Sequence, residues 1–450
     1  MRVHHAVLCG AMATAGSFLA AWSPVPVTQG LKAEAKPKVV VLRAARLLDG
    51  KSDAPIQNPV VIVEGDRIKA AGPNLPVPAG AEVIDLGGAT LLPGLIDSHT
   101  HLLSDFEPGS LGEDSNMLIT VATMSTADRA LMGAALGRED LEAGITTVRD
   151  VGNSGRNGDV ALRDAINRGW VTGPRMMVST RALAAAGGQL GKIAPPAQNL
   201  IDEEYAVIAN VDEARRAVRQ AFYDGADCIK VIVNTGPRVV SLEEMKAIVE
   251  EAHRVKRKVA AHAIGDTATR IAAEAGVDSI EHAYIVPDDV LKMMADKKIF
   301  LVPTDGPAEE YVDLVYGDKK MTAEERRQAL QEMQKLVATS RDRLARAMKA
   351  GVPIAAGSDM YYRLPGKTRG QASVAMVRAY AESGMTPQQI IRAATSNAAD
   401  LLGWQNGVGS IEAGKFADII AVAGDPLKDI SELERVKFVM KGGAVIKNAK

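Results

Sequence analysis

Two histidines separated by one residue, His99 and His101, end an apolar run that begins at Leu91. In an extended strand, residues i and i+2 point to the same side. The two imidazoles can therefore face a single point, which is the arrangement that a divalent metal ion requires. Two ordinary surface histidines would give the same pattern, so the motif gains weight only from the rest of the chain.

Two further histidines also follow short apolar segments. His262 comes after residues 259–261, and His282 comes after residues 279–281. His253 falls inside a predicted helix and is interpreted as structural. In a (β/α)8 barrel the active site lies at the C-terminal ends of the strands. If these segments are barrel strands, four histidines share one rim.

Asp359 and Lys230 extend this set. Asp359 follows the apolar residues 352–356, although a helix cap or a turn would also suit an aspartate there. Lys230 lies inside an apolar strand candidate, where a lysine is unfavourable unless it is paired or its pKa is shifted. Two interpretations remain open for Lys230. It forms a salt bridge across the barrel, or it is carbamylated by carbon dioxide and bridges two metals as a carboxylate.

The elements that must position these side chains form an alternating pattern. Apolar strand candidates and helical segments alternate between residues 91 and 407, which is typical of βα units around a parallel sheet. The candidates number eight, as a closed (β/α)8 TIM barrel requires. They cover residues 91–96, 145–149, 175–178, 228–233, 259–261, 279–281, 299–302 and 352–356.

The two ends of the chain have a different texture. Residues 36–90 and 408–450 contain short β-rich runs separated by Gly and Asp turns. We therefore predict an α/β protein in which the barrel, residues 91–407, carries a small β-sandwich domain formed from both chain ends.

Composition excludes several classes of partner. The 450 residues carry a formal net charge of −2 and 4% aromatic residues. Neither a nucleic acid nor an anionic membrane surface is an expected partner of such a chain. With two cysteines, the chain cannot form a disulfide framework.

The first 35 residues are predicted to be a signal peptide. Arg2 precedes an apolar, Ala-rich stretch, and the small residues 33–35 offer a cleavage site before Lys36. A transmembrane anchor is the alternative, but Gly, Ser and Thr dilute the apolar stretch. We therefore expect an exported protein, periplasmic or secreted, without a stable membrane anchor.

Taken in order, the motif at 99–101 and the residues Lys230, His262, His282 and Asp359 resemble the binuclear metal site of the amidohydrolase superfamily. Residues 93–101 resemble its first motif, residues 144–150 its second-strand motif, and residues 393–399 and 409–418 its C-terminal signature. The likeness spans nearly the whole chain after residue 35. It is strongest to the imidazolonepropionase-like branch, which includes Xaa-Pro dipeptidases, carboxypeptidase-like enzymes and ochratoxin-hydrolysing amidohydrolases.

This resemblance implies a ligand set for two divalent metal ions, with zinc suited to such ligands. His99, His101 and Asp359 would hold the first ion, His262 and His282 the second, and carbamylated Lys230 would bridge them. A hydroxide between the metals would attack the substrate carbonyl. Asp359 would take its proton and pass it to the leaving nitrogen. The resemblance also implies a homo-oligomer, of which an octamer is one form.

The chain departs from this branch near the substrate. Gly187-Gly188-Gln189 stands where the branch often has Gly-Gly-His, and the loop between residues 233 and 241 is short. Five residues are candidates for binding substrate, and for each arginine among them a structural salt bridge is the alternative. They are Ser104, Arg149, Arg181, Gln189 and Arg238.

The sequence therefore predicts a metal-dependent hydrolase that cleaves an amide bond in a small molecule. We expect release of a C-terminal amino acid from a dipeptide or an N-acyl amino acid, of which ochratoxin is one. A cyclic-amide hydrolase or an aminohydrolase on the same barrel is the alternative. Mononuclear deaminases of the superfamily typically lack the bridging lysine, so Lys230 disfavours them. A non-catalytic binding protein on this fold is the alternative from another class.

Overall fold

The computed structural model describes residues 38–107, 113–317 and 319–449, and the signal peptide predicted at 1–35 lies outside these ranges. Within them the strands are β1 (Val39–Arg43), β2 (Arg46–Leu47), β3 (Ile56–Gln57), β4 (Pro59–Glu64), β5 (Arg67–Pro73), β6 (Glu82–Asp85), β7 (Thr90–Pro93), β8 (Leu95–Thr100), β9 (Ile145–Asp150), β10 (Arg175–Val178), β11 (Ala182–Ala184), β12 (Tyr205–Val207), β13 (Ile229–Ile232), β14 (Asn234–Thr235), β15 (Arg238–Val239), β16 (Val259–Ala263), β17 (Ser279–His282), β18 (Phe300–Val302), β19 (Ile419–Val422), β20 (Phe438–Lys441) and β21 (Ala444–Asn448).

The α-helices in the same ranges are α1 (Glu113–Thr123), α2 (Thr126–Glu142), α3 (Gly158–Asn167), α4 (Asn199–Glu204), α5 (Val211–Tyr223), α6 (Leu242–Arg254), α7 (Asp266–Ala275), α8 (Asp288–Lys297), α9 (Ala308–Tyr316), α10 (Ala323–Ala350), α11 (Arg369–Val374), α12 (Met376–Glu382), α13 (Pro387–Ala393) and α14 (Ser396–Leu402). None of these described helices combines the length and the apolar character that a bilayer-crossing segment would need.

The strands that carry the candidate site belong to two parallel sheets. One has the order β10-β9-β8, and the other has the order β12-β11-β13-β16-β17-β18. Helices α3 and α5 to α8 follow these strands in turn. The alternation that the sequence predicts is therefore present, and the C-terminal ends of parallel strands place following residues at one edge.

The eighth predicted strand, at residues 352–356, forms an isolated parallel bridge rather than a continuous strand. The amide of Leu301 donates to the carbonyl of Pro353 at 2.9 Å, and the amide of Ala355 donates to the carbonyl of Leu301 at 3.1 Å. On its other side, the amide of Ser98 in β8 donates to the carbonyl of Ala356 at 2.8 Å. Since Pro353 has no N–H, it cannot take part as a donor in a regular ladder. The segment thus links β18 to β8 with few hydrogen bonds.

Two further sheets are formed near the chain ends, the first from N-terminal strands alone and the second from strands of both ends. Their orders are β5-β4-β1-β6 and β21-β20-β19-β7-β2-β3. In the second sheet, β7 pairs antiparallel with β19 near the C-terminus. One cluster of buried apolar residues joins the sheets, and it includes Val40, Leu42, Val61, Ile419 and Phe438.

The first predicted strand, at 91–96, is divided in the structure at Gly94. Residues 91–93 belong to β7, and the parallel strand β8 begins at Leu95. A Cβ atom at Gly94 would collide with the side chain of Thr146, so the chain can pass β9 this closely only as glycine. The structure therefore places residues 91–93, which we assigned to the barrel, in the sheet with the C-terminal strands.

Candidate metal centre

The six side chains that the sequence singles out as metal ligands line one cavity of about 180 Å³. They come from β8, β13, β16 and β17, from the residue after β8, and from the segment after residue 356. These side chains are His99, His101, Lys230, His262, His282 and Asp359. Residues separated by up to 260 positions along the chain are thus brought to one edge of the parallel sheets.

The carboxylate of Asp359 lies among the imidazoles. Its Oδ1 is 3.4 Å from His99 Nε2 and 3.2 Å from His101 Nε2, and its Oδ2 is 3.6 Å from His282 Nδ1. Ligand atoms of His99, His282 and Asp359 all fall within 4.8 Å of one another. The ring of His262 is centred 4.6 Å from that of His282. Such convergence of nitrogen and oxygen donors suits a divalent metal.

Backbone contacts fix Asp359 beside β8. The amide of Asp359 donates to the carbonyl of His99 at 2.8 Å. Asp97 accepts from the amide of Ser358 at 3.0 Å and from its hydroxyl at 2.5 Å. A Cβ atom at Gly357 would lie 2.8 Å from His99 Cβ, so this close approach requires glycine. Asp359 itself has a φ of 54°, a conformation that a rigid surrounding must hold in place.

A similar departure from regular backbone brings His282 to the site. Adjacent residues in a strand point to opposite faces, so Glu281 and His282 should lie apart. At the end of β17, however, φ is 66° at His282 and 48° at Ala283. Both Glu281 and His282 therefore contact the histidine cluster.

One ring nitrogen of each of three histidines contacts a protein partner, and at His99 and His101 it is the nitrogen that does not face Asp359. His99 Nδ1 donates to Glu281 Oε2 at 2.7 Å, and His101 Nδ1 donates to the carbonyl of Gly152 at 2.8 Å. His282 Nδ1 pairs with Thr304 Oγ1 at 2.8 Å. In metal sites such partners fix the ring orientation and the tautomer of the ligand. The arrangement at His99 and His101 leaves Nε2 facing Asp359.

Burial keeps three of the imidazoles neutral, which is the form that binds metal. Burial, with the charge of Lys230 adding to it, lowers the pKa of His262 to about 3. The same two causes hold the pKa of His99 well below its usual range. The pKa of His282 is also held well below its usual range, mainly by burial and next by the neighbouring His262.

Lys230 is buried at the centre of the cluster, with Nζ 3.3 Å from His99 Nε2. Burial lowers its pKa to about 8, and the negative charge of Glu281 opposes this shift. At pH 7 a group with such a pKa is neutral in roughly a tenth of the molecules. An ordinary lysine would be neutral in far fewer.

These histidines predict how the metal-free protein responds to acid. Below pH 6.5 the unfolded chain protonates at His262, whereas the folded protein does not until about pH 3. Stability is therefore lost as the pH falls, by about 2 kcal/mol between pH 7 and 5 for this group alone. Urea unfolding of chelator-treated protein at both pH values measures it. The variant His262→Asn should show a weaker pH dependence than the unaltered protein. An equal dependence in the two proteins would contradict this cause.

Of the five candidates for substrate binding, Gln189 lines the cavity. Ser104 is buried, and its hydroxyl donates to the carbonyl of Asn153 at 3.0 Å. Ser104 therefore supports the loop that carries Asn153, a cavity-lining residue, instead of facing the cavity itself.

Two of the candidate arginines bind backbone carbonyls outside the cavity lining. Arg181 Nη1 donates to the carbonyl of Asp202 at 2.8 Å. Arg238 donates to the carbonyls of Ala186 and Leu190 at 2.8 and 2.9 Å. Arg238 thus holds the loop on both sides of Gln189 in place.

Arg149 lies fully buried behind the site. Its Nη2 donates to Glu281 Oε1 at 2.8 Å, and its Nε donates to the carbonyl of Ser98 at 2.6 Å. Glu281 in turn holds His99. The guanidinium therefore braces a metal-ligand candidate from the side away from the cavity.

Replacing Arg149 should reveal this bracing role. Arg149→Met leaves the carboxylate of Glu281 buried without its ion-pair partner, which lowers the free energy of unfolding by about 3 kcal/mol or more. Urea unfolding measures the change, with the exposed Arg216→Met in α5 as the control. A raised KM with unchanged stability would instead show that Arg149 binds substrate.

The site also contains residues that were not among the sequence candidates, and four of them lie in or shortly after strands. Glu281 and Thr304 hold histidines, while Asn153 and Tyr284 line the cavity. Glu281 precedes His282 directly, and a carboxylate beside a candidate ligand on a buried strand was the available signal. The other three follow strands, but nothing in their types distinguishes them from loop residues.

Comparison with known proteins agrees with this geometry. The model of the Amidohydrolase family matches residues 90–446. Ochratoxinase from Aspergillus niger is 30% identical over 445 residues, covering 91% of this chain and 87% of the relative. Imidazolonepropionase from Fusobacterium nucleatum is 26% identical over 396 residues, covering 80% of this chain and 84% of the relative.

Solved structures lead to the same family. A crystal structure of a Xaa-Pro dipeptidase with methionine bound in the active site has a TM-score of 0.75 at 29% identity, covering 91% of this chain and 99% of that one. The crystal structure of A. niger ochratoxinase has a TM-score of 0.76 at 28% identity, covering 92% and 97%. The chain belongs to the amidohydrolase family. It is a hydrolase acting on C–N bonds, and enzymes of this family are typically metal-dependent.

Proposed function

We propose that this amidohydrolase uses two divalent metals to release a C-terminal amino acid from a dipeptide or an N-acyl amino acid. The observation that carries the proposal is the single cavity lined by four imidazoles, one carboxylate and a buried lysine. The names of its relatives support the substrate class, because ochratoxinase and a Xaa-Pro dipeptidase stand among them.

The donor set fits two metal ions. His99, His101 and Asp359 would hold one, and His262 and His282 the other, with zinc favoured by imidazole and carboxylate ligands. Lys230 would join them as a carbamate. When bound, such ions lower the pKa of water and polarise a carbonyl oxygen.

Carbamylation of Lys230 is supported by its lowered pKa. The neutral amine is the form that attacks carbon dioxide, and burial makes this form more abundant. A new N–C bond forms and the nitrogen loses a proton, so a cation is replaced by an anion. An anion suits a site that must hold two divalent cations.

The position of Asp359 supports a role for it in proton transfer. Its carboxylate faces the cavity and is held by the backbone contact to His99. As a general base it would accept a proton from the attacking water at a carboxylate oxygen. As a general acid it would return that proton to the leaving nitrogen. Substrate must therefore bind with this nitrogen near Asp359.

Neutral donors would bind the substrate carboxylate. Arg149, Arg181 and Arg238 have other partners, as described above. Asn153, Gln189 and Tyr284 line the cavity and carry N–H or O–H groups. We assign the carboxylate to these donors, with Gln189 standing in place of the histidine found in much of the branch.

The same proposal includes the finer architecture. The bonds from residues 352–356 to both β18 and β8 support a closed (β/α)8 barrel, and the shared apolar core of the terminal sheets supports a β-sandwich. Export on residues 1–35 and assembly into a homo-oligomer, with an octamer as one form, remain proposals from sequence and family resemblance.

A substrate panel tests the proposed function. Zinc-loaded protein is offered dipeptides, N-acyl amino acids, cyclic amides and amino-substituted heterocycles, and amino-acid and ammonia release are measured separately. Release of C-terminal amino acids is expected. Ring opening or ammonia release alone would favour the cyclic-amide or aminohydrolase alternative, and no turnover of any class would contradict the proposal.

A further inference from the structure

A second cavity adjoins the metal cavity. It has a volume of about 140 Å³ and shares Tyr284, Asp359 and Tyr361 with the metal cavity. Its other walls come from helix α9 and from the segment after Asp359. We call this cavity the annex, and its principal lining residues beyond the shared three are Tyr311, Leu314, Met360, Tyr362 and Leu364.

The walls of the annex are aromatic and apolar. Leu314 packs against the buried cluster that contains Met360 and Leu364. The hydroxyl of Tyr362 donates to that of Tyr361 at 2.8 Å, which turns a polar end towards a protein partner. An occupant would therefore meet mainly ring faces and aliphatic carbon.

The charged groups in the annex lining are carboxylates. Glu310 is buried and paired with Lys367 at 2.8 Å, and Asp359 stands at the junction with the metal cavity. The described lining of the annex contains neither lysine nor arginine. An anionic occupant would be repelled and left without a counter-ion. A cationic occupant would find Glu310 already paired with Lys367 and Asp359 assigned to the metal site, so the annex suits an uncharged group.

The size of the annex matches a single ring. An engineered apolar cavity of about 150 Å³ in another protein binds benzene. The annex is of similar volume, although it opens onto the metal cavity instead of being closed. A phenyl ring or a long aliphatic side chain would fill it, whereas a methyl group would leave most of it unfilled.

Asp359 determines which part of the substrate reaches the annex. In the proposed reaction the leaving nitrogen must come within hydrogen-bonding distance of the Asp359 carboxylate. The annex begins at that same residue. The substituent nearest the annex is therefore the one carried by the leaving nitrogen, which is the amino acid that is released.

We propose that the annex binds the side chain of the released amino acid and selects one that is uncharged and as large as a phenyl or a long aliphatic group. This inference rests on the proposed function and names its substrate class. It assigns specificity to Leu314 and its neighbours in α9, which take no part in metal binding.

Two opposite changes at Leu314 test the proposal. Kinetics with Ala-Phe, Ala-Trp, Ala-Ala and Ala-Glu are measured for metal-loaded protein. The kcat/KM for Ala-Phe should exceed those for Ala-Ala and Ala-Glu by at least about tenfold. Leu314→Trp, which fills the annex, should lower the ratio of Ala-Phe to Ala-Ala. Leu314→Ala, which enlarges it, should shift preference towards Ala-Trp. Loss of folding cannot produce opposite shifts. Leu336→Trp, exposed on α10, is the matched control and should leave the ratios unchanged.

The outcomes separate the annex from the proposed function. Cleavage of Ala-Phe, Ala-Ala and Ala-Glu with equal kcat/KM, or ratios unmoved by both Leu314 variants, would overturn the annex proposal while leaving the amidase intact. If neither dipeptides nor N-acyl amino acids are cleaved, the proposed function fails, and the annex proposal is then tested by calorimetric binding of L-phenylalanine and L-alanine. Tighter phenylalanine binding that Leu314→Trp abolishes would support it, and equal affinities would overturn it.

Discussion

Replacing Lys230 by alanine should lower kcat/KM by roughly a thousandfold or more, the effect of removing an essential electrostatic group. The carbamate of Lys230 is the proposed bridge between the metals, and its loss leaves the second ion with His262 and His282 alone. The metal content of dialysed protein should therefore fall from about two ions per chain to about one. Steady-state kinetics and elemental analysis of the same sample measure both effects.

The variant Lys230→Arg distinguishes the two interpretations of this lysine. Arginine keeps the positive charge but does not form the carbamate, because its guanidinium stays protonated. If Lys230 served only as a cation in a salt bridge, the arginine variant would preserve much of the activity. We expect it to be as inactive as the alanine variant. Lys246→Ala, exposed on α6, is the control and should match the unaltered protein.

Replacing Asp359 by asparagine should lower kcat by about 10²- to 10⁴-fold, the contribution typical of general acid–base catalysis. Asparagine preserves the size of the side chain and the backbone contact to His99, but it cannot carry a proton between water and nitrogen. Single-turnover kinetics should show that the cleavage step itself has slowed.

Metal content must be measured on the same Asp359→Asn preparation, because this carboxylate is also a proposed ligand. Asp296→Asn, on the exposed face of α8, controls for the loss of one negative charge. A fully metal-loaded Asp359→Asn protein with near-normal kcat would assign the proton transfers to another group.

Five of the six ligand candidates could be predicted because each lies at or shortly after the end of an apolar strand, and Lys230 because a lysine inside such a strand is unfavourable unless it is paired or its pKa is shifted. That rule depends only on strand order and direction, and the structure brings all six side chains to one cavity. This rule did not identify Glu281, because strand alternation predicts that its side chain points away from that of His282. In the structure, the left-handed backbone at His282 removes this alternation. Sequence periodicity carries no information about such a local departure.

The arginine candidates show the converse difficulty. Arg149 lies within a motif on a buried strand, and its charge suggested that it binds a substrate carboxylate. Whether a buried arginine faces a ligand or a carboxylate of the protein depends on its neighbours in space. Here Glu281, 132 positions away along the chain, is that neighbour.

Strand boundaries were less predictable than strand existence. The apolar run 91–96 looks continuous, yet Gly94 passes too close to Thr146 for any other residue and the chain changes sheets there. The annex could not be predicted from the sequence either, because α9 and the segment after Asp359 contact each other only in the folded protein. Both features depend on contacts between distant residues rather than on local composition.

Metal titration of chelator-treated protein tests the central claim most directly. Zinc is added in known equivalents, and release of a C-terminal amino acid is measured at each step. We predict negligible release by the metal-free protein and a rise that reaches its plateau at about two ions per chain. A metal-free protein as active as the loaded one would contradict the claim, and a plateau at one ion would contradict its binuclear part.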